Sequence, residues 1–395
     1  MHRFQRACAY LFSPDHARDP RFLETLDARM VKQAFRRKAR QYHPDLHGHE
    51  APGQQLRRKE RFIRIKASYE YLSLKVRDHS EPEKSPPSLK KPQIIAVGGA
   101  KGGIGKSLFA ANLAIYLAGQ GYRAVAADLD LGGANLHLYM GKTRLKSTIN
   151  DFLGKRAVHL SDVLETTAYG PGLIGGNSSH LGAGNIGFAR KLKLIKAVRQ
   201  MDADVVVVDL GGDTAFNVLD FFLTADAGVV MTTCDPASYL DAYCFIKVAL
   251  YRQLNRIFGP ESFYSGPVDP VLRRMIREAT QPLDDAMVPS ISRIRQEIKE
   301  KRPSGLRFLD RVLSGFSPWI IVNKAEDQGT AHPPVQRIRQ VCRKTLSIDV
   351  KDLGFLPFEP GLETSARTLV PFVTTPESHG YAMTLDRISK RLLND

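Results

Sequence analysis

Cysteine is scarce in this chain, which has four cysteines among 395 residues. They stand at Cys8, Cys234, Cys244 and Cys342. No two of them lie at the short spacing of a disulfide framework or of a paired-cysteine metal site. The sequence therefore argues against disulfides and predicts a reducing, cytoplasmic location.

Long hydrophobic runs are also missing. No apolar stretch approaches the roughly 18 residues that a membrane-spanning helix needs. The apolar residues 7–12 are too few for a secretory signal peptide and fit a helix of an amino-terminal domain better. Hydrophobic residues nonetheless make up 43% of the chain, enough for an α/β core and a small helical domain.

Positive charge exceeds negative charge in this chain and is unevenly distributed. The formal net charge is +16, and residues 1–91 hold 21 Lys and Arg against 11 Asp and Glu. Such a surface can meet acidic proteins, nucleic acid or anionic lipid, and a solvated helix face explains it equally well. Charge alone does not decide among these, and we do not favour DNA or a membrane surface as the partner.

Residues 99–107 read Gly-Ala-Lys-Gly-Gly-Ile-Gly-Lys-Ser, between a short apolar run at 94–97 and a stretch with helical spacing at 107–120. A glycine-rich turn between a strand and a helix directs backbone N–H groups and the positive helix end at one point, which stabilises an anion. Lys106 is expected to reach the β- and γ-phosphates, and the Ser107 hydroxyl to hold Mg²⁺. Backbone contacts to phosphate are expected from Gly102, Gly103 and Gly105.

This loop resembles the deviant phosphate loop of the MinD/ParA ATPases, although Ala100 stands where the general pattern has glycine. The resemblance implies ATP and Mg²⁺ as cofactors and a homodimer that forms when ATP binds. It also implies that Lys101 crosses the dimer interface to the partner's phosphates, as an arginine finger does. A charge supplied in trans is worth roughly 10³ to 10⁵ in rate in GTPases.

Residues 123–130 are a predicted strand that ends in two acids, and Leu-Gly-Gly-Ala-Asn-Leu follows at 131–136. This segment is similar to the first switch of MinD-like proteins. The resemblance implies that Asp130 orients the attacking water, that Asp128 lies closer to the metal and that Asn135 lies near the nucleotide. Ligands of open α/β sheets bind at the carboxyl ends of the strands, which suits this position.

Residues 203–209 form a second apolar run that ends in an acid, as expected for a parallel strand buried on both faces. Asp209 fits the acid that holds Mg²⁺ through water. The following Leu-Gly-Gly-Asp-Thr resembles the second switch, except that the family usually has glycine where Asp213 stands. A carboxylate close to the γ-phosphate would repel it, so Asp213 is expected to impair phosphate sensing or hydrolysis.

Two later segments resemble the base-binding side of the same family. Residues 319–324 read as a strand that ends at Asn323, the position where the family contacts adenine. Residues 353–358 resemble the late strand and proline turn that close over the base, which makes Pro357 a candidate contact. An asparagine after a strand is also a common cap or turn residue.

The amino-terminal 78 residues resemble a J domain, in which a His-Pro-Asp loop joins two helices and docks on a DnaK-type chaperone. Here the tripeptide is His43, Pro44 and Asp45, between a basic helical pattern at 30–45 and another at 57–74. Proline ends a helix, so the loop is expected at the tip of a helical hairpin. His47 and His49 nearby allow zinc binding as an alternative, which we do not favour because no cysteine accompanies them.

The predicted organisation is a small all-α J-like domain at 1–78, a Pro/Ser-rich linker at 79–93 and an α/β P-loop domain at 94–395. The α/β domain is expected to have three layers around a mostly parallel twisted sheet. A basic helical insertion is predicted at about 258–317, either as a partner site or as a solubilising addition. The apolar positions Leu385, Ile388 and Leu392 predict a closing helix rather than a membrane anchor.

These features favour a dimerising switch ATPase, similar to FlhG, that positions or assembles an unknown protein partner. Recruitment to a cell pole or membrane through partners stays open. The J-like domain is expected to bring a DnaK-type chaperone. Two alternatives stay open. One is a chaperone adaptor whose ATPase fold is a degenerate scaffold, and the other, less favoured, is a small-molecule kinase or synthetase. The absence of a Cys-x-x-Cys pair argues against the iron–sulfur carriers of the same superfamily.

Overall fold

The computed structural model describes residues 3–26, 28–42, 54, 61–62, 64–65, 68–69, 72, 91–176, 186–258, 270–280 and 290–394. The chain divides into two compact units, Met1–Ser85 and Pro86–Asp395. Each unit has its own core and is described by itself.

The first unit is helical. Its continuous helices are α1 (Arg3–Leu11), α2 (Pro20–Glu24) and α3 (Ala28–Tyr42), and the described residues between 61 and 72 are helical as well. Asp19 caps α2 by accepting a hydrogen bond from the Arg21 amide at 2.9 Å. Small and branched apolar side chains form a single core: Ala7, Cys8, Leu11, Ala17, Leu26, Val31, Ala34, Ile65 and Leu72. The predicted docking residues His43, Pro44 and Asp45 lie outside the described residues.

The second unit is built on one eight-stranded sheet in the order β3-β4-β2-β5-β1-β6-β7-β8. Only the short edge strand β3 runs antiparallel to its neighbour. The strands are β1 (Gln93–Gly98), β2 (Ala124–Asp128), β3 (Glu165–Thr166), β4 (Gly172–Ile174), β5 (Val205–Asp209), β6 (Ala227–Thr233), β7 (Trp319–Ala325) and β8 (Lys351–Pro357). β1 begins one residue before the predicted domain boundary.

Helices cover both faces of this sheet. They are α4 (Lys106–Gly119), α5 (Leu136–Tyr139), α6 (Ile149–Leu153), α7 (Phe188–Arg199), α8 (Phe216–Phe222), α9 (Pro236–Phe258), α10 (Pro270–Thr280), α11 (Ile291–Lys301), α12 (Pro303–Ser314), α13 (Gln328–Val341), α14 (Pro360–Thr368) and α15 (His379–Leu393). The fold is thus the predicted three-layer α/β arrangement with a mostly parallel sheet.

The core follows the period of two that governs strands. Along β1, Ile94 and Ala96 face one apolar layer, whereas Ile95 and Val97 face the other. Because both faces are covered, the strands read as continuous apolar runs rather than alternating ones. The carboxyl ends of β1, β2, β5 and β7 meet at one edge of the sheet, where the predicted site residues stand.

Within the predicted basic insertion, the described residues form helices α10, α11 and α12, which pack beside the sheet through apolar positions of the same core, among them Leu272, Ile294 and Leu309. The closing helix α15 buries Leu385 and Ile388 in the opposite layer. Among the described residues, no helix has both the length and the apolar character needed to cross a membrane.

Candidate functional site

The phosphate loop between β1 and α4 has a backbone that only glycine adopts readily. Gly103 and Gly105 have φ values of 76° and 98°, in the left-handed region. A Cβ built on Gly105 would lie 2.4 Å from Nδ2 of Asn323, so this position also lacks room for a side chain. The loop therefore keeps the conformation of an anion cradle at the amino end of α4.

Lys106 lies inside this cradle. Its side chain is buried, and Nζ donates a hydrogen bond to the carbonyl oxygen of Lys101 at 2.8 Å. Burial lowers the pKa of Lys106, while the carboxylates of Asp209, Asp130 and Asp213 act in the opposite direction. The ammonium group is thus held at the loop by a single neutral acceptor that a phosphate oxygen can replace.

Asp128 and Asp209 form a pair of buried carboxylates at the ends of the adjacent strands β2 and β5, directly opposite each other in the register. Asp128 accepts hydrogen bonds from the amides of Asp130 at 3.2 Å and Leu136 at 3.0 Å. Burial and the charge of Asp209 raise the pKa of Asp128 well above its usual value. Burial raises the pKa of Asp209 to about 7, although Ser107 and Lys106 lower it.

A divalent cation fits this arrangement. Oδ1 of Asp209 is buried and has no hydrogen-bond partner, and the Ser107 hydroxyl bonds the same carboxylate. Two adjacent buried carboxylates with raised pKa values would be stabilised by an additional positive charge. Within the described part of the chain, no group of three or more His, Cys, Asp or Glu side chains could hold a metal alone. Mg²⁺ would therefore depend on Ser107, phosphate oxygens and water, as is usual for this ion.

Asp130 lies where the two predicted switches meet. Its Oδ1 accepts a hydrogen bond from the Gly133 amide at 3.0 Å. A Cβ on Gly211 would lie 3.1 Å from the same oxygen, and one on Gly212 would lie 3.1 Å from Nζ of Lys106. The backbone of the second switch therefore lies against both Asp130 and the phosphate loop.

Lys101 points away from its own cradle. Its Nζ lies 3.5 Å from Oδ2 of Asp235, and both side chains are about half exposed. Exposed ion pairs of this kind contribute roughly 0 to 1 kcal/mol, so the lysine is released at little cost. The sequence did not predict Asp235 as its partner, because the two residues are far apart in the chain and meet only through the fold.

A cleft of about 240 Å³ extends from the cradle toward β8 and α14. Asn323 and Pro357 both line it, as the predicted base contacts should, together with Lys106, Ser107, Tyr139 and Phe358. The Asn323 side chain also fixes the loop, since Nδ2 donates to the carbonyl of Ile104 at 2.7 Å and Oδ1 accepts from the Lys324 amide at 2.9 Å. Phe358, half exposed at the cleft, was missed by the sequence analysis although it directly follows Pro357.

Asn135 and Asp213 are among the predicted residues that do not line the cleft, although the charge of Asp213 acts on Lys106. Asn135 is exposed at the start of α5 and does not line the cleft, whereas Tyr139 of that helix does. The Asp213 carboxylate is exposed and accepts a hydrogen bond from the Ala215 amide at 2.9 Å, just before α8. This bond gives Asp213 a local structural role at the start of that helix.

Comparison with protein-family models gives two matches. Residues 90–256 match the ParA model, described as NUBPL iron-transfer P-loop NTPase, and residues 23–79 match the DnaJ domain. The matches cover the phosphate loop, both switches and the predicted His-Pro-Asp loop. The resemblance to MinD/ParA proteins with an amino-terminal J domain is confirmed.

Among curated proteins, the chain is similar to the antiactivator FleN of Pseudomonas aeruginosa, with 35% identity over 179 residues. It is also similar to the flagellum site-determining protein YlxH of Helicobacter pylori, with 30% identity over 167 residues. The aligned regions are 45% and 40% of this chain. The chain spans only 61% and 53% of the lengths of these two relatives.

Solved structures show the same fold. The septum site-determining protein MinD from Pyrococcus horikoshii, complexed with Mg-ADP, superposes with a TM-score of 0.50 at 17% identity over 76% of this chain and 96% of that one. MinD in the MinC:MinD complex of Aquifex aeolicus gives a TM-score of 0.50 at 17% identity over 77% and 96%. At this identity the likeness concerns the fold.

Proposed function

We propose that this chain, a ParA-type P-loop NTPase joined to a DnaJ domain, is an ATP-dependent switch that dimerises, hydrolyses ATP slowly and controls the placement or assembly of a partner protein. FleN is named an antiactivator, and YlxH and MinD are named site-determining proteins. We infer a regulatory or positioning role of the same class for this chain.

The observation that supports the proposal most strongly is the buried carboxylate pair beside an ordered phosphate cradle. Asp128 and Asp209 face each other with raised pKa values, and an unpartnered oxygen lies next to the Ser107 hydroxyl. Such a pair weakens a scaffold that has no ligand, because two buried carboxylates repel each other and one of their oxygens has no hydrogen-bond partner. A bound cation with a phosphate chain removes this cost, which argues against a purely degenerate scaffold.

In the proposed reaction, Lys106 leaves the Lys101 carbonyl and binds the β- and γ-phosphates. Ser107, Asp209 and Asp128 would hold Mg²⁺ at the carboxyl ends of β2 and β5. The ion would neutralise charge on the phosphate oxygens. Asp130 accepts a hydrogen bond from the attacking water and thereby orients it. Lys101 leaves Asp235 and completes the site of the facing protomer.

Replacement of Lys106 by alanine tests the site assignment. Binding of a fluorescent ATP analogue should fall by at least about a hundredfold, because the phosphates lose their only buried ammonium partner among the described residues. The matched control is Lys155→Ala, an exposed lysine outside the cleft, which should bind like the parent. Parental affinity of the Lys106 variant would refute the assignment.

A second function rests on the DnaJ-domain match at residues 23–79. We propose that this region recruits a DnaK-type chaperone, so that the chain also acts as a co-chaperone. Addition of the full chain to such a chaperone should accelerate chaperone ATP hydrolysis, and His43→Gln should abolish the acceleration. The assay should use Lys106→Ala as background, so that hydrolysis by the chain itself is not counted. An unchanged rate with His43→Gln would refute it.

Iron transfer, named in the description of the ParA model, is not proposed for this chain. Cys234 and Cys244 are the only cysteines described in the matched region, and their spacing does not form a paired ligand motif. Burial raises the pKa of the Cys234 thiol, which disfavours the thiolate that metals bind.

A further inference from the structure

The sheet of the second unit ends at β8, and a cavity lies beyond this edge strand. Among the described residues, β8 pairs with β7 and has no strand on its other side. Helices α13 and α15 cover the two faces of the sheet here, because Val335 packs in one apolar layer and Ile388 in the other. The cavity between these helices and β8 measures about 170 Å³. None of its lining residues lines the nucleotide cleft.

The edge of β8 is protected against the addition of another strand. Its pairing with β7 shifts in register between Asp352 and Gly354, which leaves Leu353 as a bulge. The Gly354 amide donates a hydrogen bond to the Asp352 carboxylate at 2.8 Å. The Asp352 carbonyl oxygen accepts one from the Arg391 guanidinium at 3.2 Å. Bulges and charged side chains at an edge oppose strand addition, so we do not expect a partner to pair along β8.

The wall of the cavity is apolar in one part and positively charged in another. Val335, Leu353 and Ile388 line it, and each of them is at most 2% exposed. Arg387 and Arg391 also line it and stand one helical turn apart on α15. We name the space bounded by these five residues the β8 cavity.

The two guanidinium groups keep hydrogen-bonding capacity for an anion. Arg387 donates to the Thr384 hydroxyl at 3.2 Å and Arg391 to the Asp352 carbonyl, although each group has five N–H donors. Within the part of the chain that the structure describes, neither arginine forms an ion pair. Asp352 is the one acid that lines the cavity, and its carboxylate accepts from the Gly354 amide. A carboxylate matches the planar donor groups of arginine.

The volume restricts the occupant to a group of about residue size. Pockets that hold drug-sized ligands or cofactors measure roughly 300 to 1,000 Å³, so a nucleotide is too large for the β8 cavity. The occupant also needs an apolar group and an anion close together. The last residue of a protein chain has both, because its α-carboxylate and its side chain are attached to the same carbon.

We propose that the β8 cavity binds the carboxyl terminus of a partner protein whose last residue is apolar, such as leucine. The terminal side chain would pack against Val335, Leu353 and Ile388. The α-carboxylate would accept hydrogen bonds from Arg387 and Arg391. A chain end needs a single entrance between α13 and α15, whereas an internal acidic segment has to enter and leave. Charge complementarity and the size of the cavity support this occupant.

The test uses fluorescence anisotropy with the full chain, without nucleotide, and short peptides labelled at the amino end. A peptide that ends in leucine with a free carboxylate should bind at least about tenfold more tightly than the same peptide as an amide. It should exceed a peptide ending in glycine by a similar factor, because glycine buries no side chain. Arg387→Gln and Arg391→Gln should each weaken binding about tenfold.

Lys390→Gln is the matched control, because it removes one positive charge from the same helix without altering the lining of the cavity. This variant should bind the peptide like the parent. Far-ultraviolet circular dichroism and ATP binding confirm that each variant is folded.

Three results would overturn the proposal. The first is equal affinity for the acid and the amide, and the second is unchanged affinity in both arginine variants. The third is loss of binding to duplex DNA in these variants while they still bind the peptide, since this marks a nucleic-acid surface. The nucleotide cleft takes no part in the experiment, so its outcome is independent of the proposed ATPase function.

Discussion

The buried carboxylate pair makes a prediction about stability that does not require catalysis. In Asp209→Asn, the neutral amide replaces a carboxylate that is 1% exposed and faces Asp128 across the register. Burial raises the pKa of Asp209 to about 7, and an unfolded aspartate titrates near 3.9. This rise in the pKa corresponds to a destabilisation of the folded state by at most about 4 kcal/mol. The cost is shared with Asp128, because the two carboxylates titrate together.

The sign follows from proton binding. Between pH 4 and 7 the folded chain holds a proton that the unfolded chain has lost, so this site makes the parent less stable as pH rises. Above pH 7 the cost is complete. The asparagine variant carries no such cost, so without nucleotide it should be about 2 to 4 kcal/mol more stable at pH 8. Its advantage should shrink by roughly 1.4 kcal/mol for each pH unit below 7.

Urea denaturation of parent and variant at pH 5, 6, 7 and 8, without nucleotide, measures this difference directly. Asp202→Asn is the matched control, because its carboxylate is almost fully exposed and the substitution removes only a surface ion pair with Arg123. Addition of ATP and Mg²⁺ should stabilise the parent more than Asp209→Asn, since the bound cation requires the carboxylate. A variant that is less stable than the parent at every pH would refute this reasoning.

Two further substitutions test separate parts of the site. Asn323→Ala removes the 2.7 Å hydrogen bond to the Ile104 carbonyl. Because the loop is then held less firmly, ATP binding should weaken about five- to hundredfold. Calorimetry measures the affinity, with Asn150→Ala as a control outside the cleft. Asp130→Ala should keep ATP affinity within about threefold yet lower the hydrolysis rate about a hundredfold or more, measured by phosphate release. Parental turnover by the Asp130 variant would contradict its role with water.

Much of the P-loop unit could be predicted because its signals are local. The strands β1 and β5 are short apolar runs. Lys106 ends the glycine-rich loop after β1 and Asp209 ends β5, so both residues could be predicted from the sequence. Parallel strands place their carboxyl ends together, so the sequence predicts Asp128 and Asp209 at one edge of the sheet. Their functional roles stay predictions until nucleotide binding is measured.

The remaining features depend on contacts between distant parts of the chain. Asn323 was predicted to contact the adenine base. Its side-chain amide also donates a hydrogen bond to the carbonyl of Ile104, 219 residues earlier in the chain. The pairing of Lys101 with Asp235 and the exposed position of Asn135 likewise follow from packing rather than from motif spacing. The buried ion pairs of Asp220 with Lys191 and Arg252 have no local signature, because the three residues stand on three different helices.

In the proposed function, ATP brings two chains together through Lys101. Sedimentation velocity of the full chain with Mg²⁺ and a non-hydrolysable ATP analogue should give a species of twice the 44.0 kDa of one chain. The same chain with ADP should sediment as a monomer. Lys101→Ala should bind the analogue and stay monomeric, with Lys155→Ala as the dimerising control. A parent that stays monomeric when saturated with the analogue would contradict ATP-dependent dimerisation.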